Sequence, residues 1–179
     1  MRVFIILIVT AFTTGALAQC PKNPAISEEL DEAYRSLKFA KFPRDAQVAT
    51  DVLWSLWTRA PDNRAQRLLN RGMMNLRLGD LAAAEGFLSV LIKYCPDYAE
   101  GYNQRAFARY LAGNFEGALP DLARALLILP RHLGALSGKG LTHLALGQPE
   151  LAEIEFRKEM ALNPFTADRD LIPNLDTDL

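Results

Sequence analysis

The chain has no marked excess of one charge and few of the residues that build metal or catalytic sites. Its 20 basic and 21 acidic residues leave a formal net charge of -1, so no basic excess is available to attract a phosphate backbone. It contains two histidines and two cysteines in 179 residues, without the paired spacing of zinc ligands and without a C-x-x-C motif. We therefore expect no nucleic-acid partner and no metal site.

Sequence motifs that mark catalytic sites are also missing. We find no G-x-S-x-G nucleophile turn, phosphate-binding loop, dinucleotide fingerprint or zinc-binding helix. Gly134, Gly138 and Gly140 form a glycine-rich run, but it falls in the beginning and middle of a predicted helix, not at the helix start where phosphates bind. We predict that the protein is not an enzyme and that it needs no cofactor.

Long hydrophobic runs are confined to the amino terminus. Arg2 precedes a mostly apolar stretch from Val3 to Phe12, which is followed by the small-x-small pattern Ala16-Leu17-Ala18. This order is typical of a secretory signal peptide at 1–18, cleaved after Ala18. The run is shorter than the roughly 20 residues that a membrane-spanning helix needs. We therefore expect a periplasmic or secreted mature chain without a membrane span.

Export would place Cys20 and Cys95 in an oxidising compartment, where an even number of cysteines usually pairs. The alternatives are a Cys20–Cys95 disulfide or two unpaired cysteines, because a small apolar residue would serve equally well at Cys95. A bridge would close a loop of about 75 residues and add about 4 kcal/mol of stability by the chain-entropy estimate. Leu17 and Cys20 also match a lipidation motif, but Gln19 stands where that motif has a small residue.

A period of about 34 residues organises the rest of the chain. Pro96, Pro130 and Pro164 follow this spacing and divide the chain into units 65–98, 99–132 and 133–166. Small residues recur at the eighth, fifteenth and twentieth positions of each unit: Gly72, Ala106 and Gly140; Gly79, Gly113 and Gly147; Ala84, Ala118 and Ala152. This pattern predicts two helices per unit, joined by a turn at the fifteenth-position glycine and stopped by the proline.

These shared positions resemble the tetratricopeptide repeat (TPR), in which small residues at the eighth and twentieth positions let two antiparallel helices approach closely. The resemblance covers roughly Leu30 to Thr166. It implies an all-α fold, a right-handed superhelical solenoid of antiparallel helix pairs, with three clear units and one degenerate amino-terminal unit.

The degenerate unit at 30–64 completes a TPR domain at 30–166. Arg44 stands where its turn glycine should be, and we interpret the unit as the cap that covers the amino-terminal end of the stack. Residues 19–29 are expected to form an amino-terminal extension, and 167–179 an acidic tail.

The resemblance also implies where a partner binds, because the first helices of TPR units line a concave surface. The predicted contact residues are Leu69, Met73, Arg77, Asn103, Phe107, Tyr110, Ser137 and Leu141. Some relatives hold a carboxy-terminal carboxylate with lysine, arginine and asparagine, but Gln104, Gly134 and Gly138 occupy such positions here. We expect a protein or peptide segment with apolar anchors instead. The alternative is a groove filled by 19–29 or by the tail.

Two further patterns have competing interpretations. Arg105 and Lys139 recur at the seventh position, and Asp121 and Glu155 follow each after sixteen residues. Since these positions face each other in related repeats, we expect structural ion pairs; the alternative is a basic ladder for an acidic partner.

Trp54 and Trp57 form an aromatic cluster in the degenerate unit. It either belongs to the core or leaves one ring exposed as a contact point. The second case leads to an alternative function, a scaffold that self-associates through its end units.

Overall fold

The computed structural model describes residues 20–21 and 26–172. Within these residues, eight α-helices form antiparallel pairs and no strand occurs. They are α1 Ser27–Lys38, α2 Pro43–Trp57, α3 Asn63–Leu78, α4 Leu81–Tyr94, α5 Ala99–Leu111, α6 Phe115–Ile128, α7 Leu133–Ala145 and α8 Pro149–Leu162, followed by a short 3-10 helix at Ala167–Leu171. The predicted all-α solenoid of helix pairs is confirmed. The predicted signal peptide at 1–18 lies outside the described residues.

The three regular units, α3–α4, α5–α6 and α7–α8, reverse direction at the predicted glycines. Gly79, Gly113 and Gly147 have φ angles of 76°, 75° and 70°, a left-handed conformation that strains residues with a Cβ. Asp80 and Asn114 then cap the following helix by accepting a hydrogen bond from the backbone N–H three residues on. Each unit is therefore a helix, a tight turn and a helix, in the register that the sequence predicts.

The small eighth-position residues bring the two helices of a unit together. A Cβ on Gly72 would lie 2.6 Å from Cγ of Leu88, and a Cβ on Gly140 would collide with the Phe156 ring. Leu88 and Phe156 are fully buried. The absence of a side chain on the first helix thus makes room for a large core side chain on the second.

In each of two units, an ion pair joins the first helix to the second, as predicted. Arg105 Nη2 lies 2.7 Å from Asp121 Oδ1, and Lys139 Nζ lies 2.9 Å from Glu155 Oε1. Asp121 also receives Arg109 at 3.1 Å, and its hydrogen bonds raise the pKa of the Arg105 guanidinium. These bases join the two helices of a unit and do not form an open ladder for an acidic partner.

The first helix pair departs from the predicted amino-terminal cap. Its buried residues Leu37, Leu53 and Leu56 form a cluster that includes Leu133 at the start of α7 and is also packed by Leu162. The pair therefore lies beside the later units and does not stack lengthwise on α3–α4. Leu37 occupies the eighth position, where the regular units have glycine or alanine, so this pair cannot pack as they do.

Side-chain contacts hold this pair at the edge where α5 and α7 begin. The Tyr98 hydroxyl donates to the Trp57 carbonyl at 2.7 Å, and the Tyr34 hydroxyl donates to the Arg131 carbonyl. The Trp57 ring stacks on His132, with ring centroids 4.2 Å apart. We refer to α1 and α2, residues 27–57, as the side hairpin.

Both predicted end segments take part in the fold. Residues 27–29 of the expected extension belong to α1, because the acidic Glu28 and Glu29 favour a helix amino terminus. Cys20 is bonded to Cys95 at the end of α4, with Cα atoms 5.0 Å apart. At the other end, part of the expected tail forms the 3-10 helix, and Ile172 is buried against Phe156.

Candidate protein-binding groove

A cavity of about 360 Å³ opens between α5 and α7. Phe107 and Tyr110 of α5 and Leu141 of α7 supply much of its apolar lining. These side chains lie on the first helices of two neighbouring units because the 34-residue register repeats the same inward positions. Phe107 is 49% exposed, so a large aromatic surface faces this space.

Five of the eight predicted contact residues line this cavity. They are Asn103, Phe107, Tyr110, Ser137 and Leu141. The structure thus brings together the predicted residues of the second and third regular units.

The three predicted residues on α3 do not line the cavity. Leu69 is fully buried and packs in the cluster of Leu88 and Leu91, so its assignment as a contact residue is wrong. Met73 packs half-buried against the same cluster. Arg77 is exposed outside the cavity.

Trp54 is a cavity residue that the predicted contact set omitted. It projects from the side hairpin to one wall of the cavity, and its ring meets Trp57 edge-on at 5.2 Å. A Cβ on Gly134 would lie 2.9 Å from Trp54 Cη2. The glycines of α7 therefore allow close packing, and the side hairpin supplies one wall of the cavity through Trp54.

A buried polar cluster supports the base of the groove. Glu100 is 1% exposed, and its Oε2 lies 2.8 Å from His132 Nε2. The Ala135 N–H donates to His132 Nδ1 at 3.2 Å, so the ring hydrogen belongs on Nε2 and His132 is a neutral donor. The stacked Trp57 covers this pair.

Two amide side chains connect this cluster to the cavity. Asn103 Nδ2 donates to Glu100 Oε2 at 3.2 Å, and Gln104 Nε2 donates to Glu100 Oε1 at 2.5 Å. Both amides line the cavity, and no charged side chain is among the described residues that do so. The groove is therefore apolar with a few fixed hydrogen-bonding groups, an arrangement typical of ligand sites.

The structure indicates no other chemical centre in its described part. No group of three or more histidine, cysteine, aspartate or glutamate side chains is placed to hold a metal ion there. None of the helices formed by residues 26–172 combines the length and apolar character needed to cross a bilayer.

Comparisons with known sequences find related repeat proteins, although no family model matches the chain. It is 31% identical over 111 residues to a TPR repeat-containing protein of Rhizobium etli, covering 62% of this chain and 54% of that protein. It is also 31% identical over 121 residues to tetratricopeptide repeat protein 36 of Bos taurus, covering 65% and 64%. The chain therefore spans between about half and two thirds of the length of these relatives.

Solved structures show the same fold at low sequence identity. The chain is similar to the first TPR of Spaghetti (RPAP3) bound to the HSP90 peptide SRMEEVD, with a TM-score of 0.59 and 20% identity, covering 60% of this chain and 85% of that one. It is similar to the Arabidopsis OM64 TPR domain, with a TM-score of 0.58 and 22% identity, covering 60% and 88%. The repeat register and the paired helices are those of a tetratricopeptide repeat protein, and the sequence relatives and solved structures support that family.

Proposed function

We propose that the protein is an exported interaction module, an adaptor or assembly factor, that holds a segment of another protein in the cavity between α5 and α7. The observation that carries this proposal is the group of Phe107, Tyr110 and Leu141 around one open cavity. A concavity with exposed aromatic side chains and a few polar groups is typical of a binding site.

The comparisons support peptide binding as a use of this fold. One similar structure is a TPR domain bound to an HSP90 peptide. The present groove has no lysine or arginine among its described lining residues, so it lacks the charges that hold a free carboxylate. We therefore propose an internal segment with apolar anchors as the ligand.

Two observations support export. The first eighteen residues have the order of a signal peptide, and Cys20 is bonded to Cys95. Structural disulfides persist mainly in oxidising compartments. A mature chain isolated from the periplasm or medium should begin at Gln19; recovery of the full-length chain from the cytoplasm would contradict the proposal.

Affinity capture tests the groove. The mature chain and a Phe107→Ala/Tyr110→Ala variant would be used to capture partners from the periplasmic or secreted fraction. A Leu127→Ala variant is the matched control, because Leu127 is exposed on α6 outside the cavity. A protein retained by the mature chain and the control but lost by the folded double variant would support the proposal. Equal retention by all three would refute this location.

A second candidate function is a scaffold that self-associates through its amino-terminal end. Phe39 and Phe42, which flank the turn of the side hairpin, are 73% and 66% exposed. Trp57 is buried and Trp54 forms a cavity wall, so the exposed phenylalanines are the better association surface. Sedimentation of the chain and a Phe39→Ser/Phe42→Ser variant tests this function, and a monomer at high concentration would argue against it.

A further inference from the structure

Glu100 carries a buried negative charge that no cation in the described part of the chain neutralises. Its two carboxylate oxygens accept hydrogen bonds from His132, Asn103 and Gln104, but His132 is the neutral tautomer. No lysine or arginine among the described residues forms an ion pair with it. Burial of Tyr98 raises the pKa of its phenol, and the nearby negative charge of Glu100 raises it further. A buried charge is costly when no opposite charge accompanies it.

The carboxylate fixes the orientation of the two amides beside it. Since Glu100 accepts from Asn103 Nδ2 and Gln104 Nε2, the carbonyl oxygens of both amides are turned away from it. These oxygens receive no hydrogen bond from the residues that the structure describes. Asn103 and Gln104 are 5% and 7% exposed, and both line the cavity. The cavity therefore offers two nearly buried acceptors without donors.

The walls of the cavity favour the same kind of ligand. Trp54, Phe107 and Tyr110 contribute aromatic rings, whose faces attract cations. Leu141 adds an aliphatic surface. The complementary group has a positively charged head with several donors and an apolar stem, and among protein side chains lysine has both.

We propose that the groove recognises a lysine side chain of the partner segment, with its ammonium group on the carbonyl oxygens of Asn103 and Gln104. The lysine stem lies along Phe107 and Leu141. Glu100 acts through the amides as a positioning residue and supplies the compensating charge. This inference rests on the proposed function and names the chemistry of its partner.

Three matched peptides test the inference. They have the sequence Leu-Gly-X-Gly-Leu with acetylated and amidated ends, and X is lysine, norleucine or glutamate. Binding to the mature chain would be followed by tryptophan fluorescence, since Trp54 lies in the cavity wall. We expect the lysine peptide to bind about tenfold more tightly than the norleucine peptide, and the glutamate peptide to bind most weakly. Equal or tighter binding of the norleucine peptide, or no binding of any peptide, would overturn the inference.

Variants distinguish the contribution of the Glu100 carboxylate from that of the apolar groove. Glu100→Gln should reduce the preference for lysine over norleucine at least severalfold, and Glu116→Gln, an exposed site on α6, should leave that preference unchanged. If Glu100→Gln fails to fold by circular dichroism, Gln104→Met removes one acceptor and keeps the carboxylate. An unchanged lysine preference in the folded variants would refute the role of this cluster.

The proposed function and this inference fail in different ways. If the norleucine or glutamate peptide binds as well as the lysine peptide, and Phe107→Ala/Tyr110→Ala abolishes that binding, the groove stands and the lysine specificity is wrong. If partner capture survives the double variant and no peptide binds, both are wrong.

Discussion

The regular units and the side hairpin are both antiparallel helix pairs, but they meet their neighbours differently. In the regular units, small residues such as Gly72 and Gly140 allow close helix packing, and each unit stacks on the next. The side hairpin has Leu37 at the corresponding position and packs across the starts of α5 and α7. A repeat that loses its small residue keeps its helices but changes its place in the assembly.

The position of the side hairpin also determines the shape of the groove. A hairpin stacked on α3–α4 would extend the solenoid, whereas the side hairpin places Trp54 against Gly134 and closes one side of the cavity. The regular units therefore supply a concave surface, and the side hairpin closes one side of it to form the cavity.

The largest effect should come from releasing the side hairpin at its covalent tether. A Cys20→Ser/Cys95→Ser variant is expected to lose about 4 kcal/mol of unfolding free energy, because the bridge closes a long loop. Urea unfolding of the oxidised chain and the variant measures this difference. A loss below about 1 kcal/mol would mean that noncovalent contacts already fix the side hairpin. The side hairpin would then need the disulfide no more than the regular units do.

Replacing Leu37 by alanine gives the side hairpin the kind of residue that the regular units use. Because Leu37 is fully buried in the hairpin core, we expect Leu37→Ala to cost about 3 kcal/mol. The Leu127→Ala control on the exposed face of α6 should change stability by less than about 0.5 kcal/mol. If chemical unfolding shows that Leu37→Ala leaves the free energy of unfolding nearly unchanged, the side hairpin can repack as a regular unit.

The reverse experiment adds a methyl group to a regular unit. Gly140→Ala should cost about 2 kcal/mol, because the new Cβ meets the Phe156 ring. Gly86→Ala makes the same change on α4, where a Cβ has no neighbour within 4 Å, and should stabilise the protein by about 0.5 kcal/mol. The two variants should therefore shift the thermal midpoint in opposite directions; a shift in the same direction would contradict the close-packing argument.

The regular units could be predicted from the sequence because their constraints are local and repeated. Glycine at the fifteenth position sets the turn, the capping residue follows it, and sixteen residues separate Arg105 from Asp121. The five cavity residues on α5 and α7 follow from the same register. Leu69 was misassigned because the register gives the direction of a side chain but not whether the neighbouring helix already covers it.

The placement of the side hairpin could not be predicted, because its contacts are long-range. The Tyr34 hydroxyl reaches the carbonyl of Arg131, 97 residues away, and the local pattern of either residue gives no sign of this bond. The same applies to Glu100, which is almost completely buried. Its burial depends on Trp57 stacking over His132. Of the two tryptophans, Trp57 is buried and Trp54 is 36% exposed in the cavity wall, which agrees with the interpretation that leaves one ring exposed.

The smallest effect concerns the opposite end of the stack, where the 3-10 helix covers α8. Glu159 Oε2 and Asp168 Oδ2 are buried without a hydrogen-bond partner among the described residues. Burial raises the pKa of Glu159 from its ordinary 4.5 to about 8, and Asp168 adds to the rise while the Thr166 hydroxyl opposes it.

Since the neutral acid is favoured in the folded state, its stabilising contribution is complete below pH 4.5 and is lost as the pH rises through about 8. We expect the unfolding free energy to fall by about 1 kcal/mol between pH 7 and 9. Glu159→Gln should remove this part of the pH dependence, while Glu116→Gln on the exposed face of α6 should keep it. Equal pH dependence in urea unfolding of all three chains would show that Glu159 is not the group that titrates in this range.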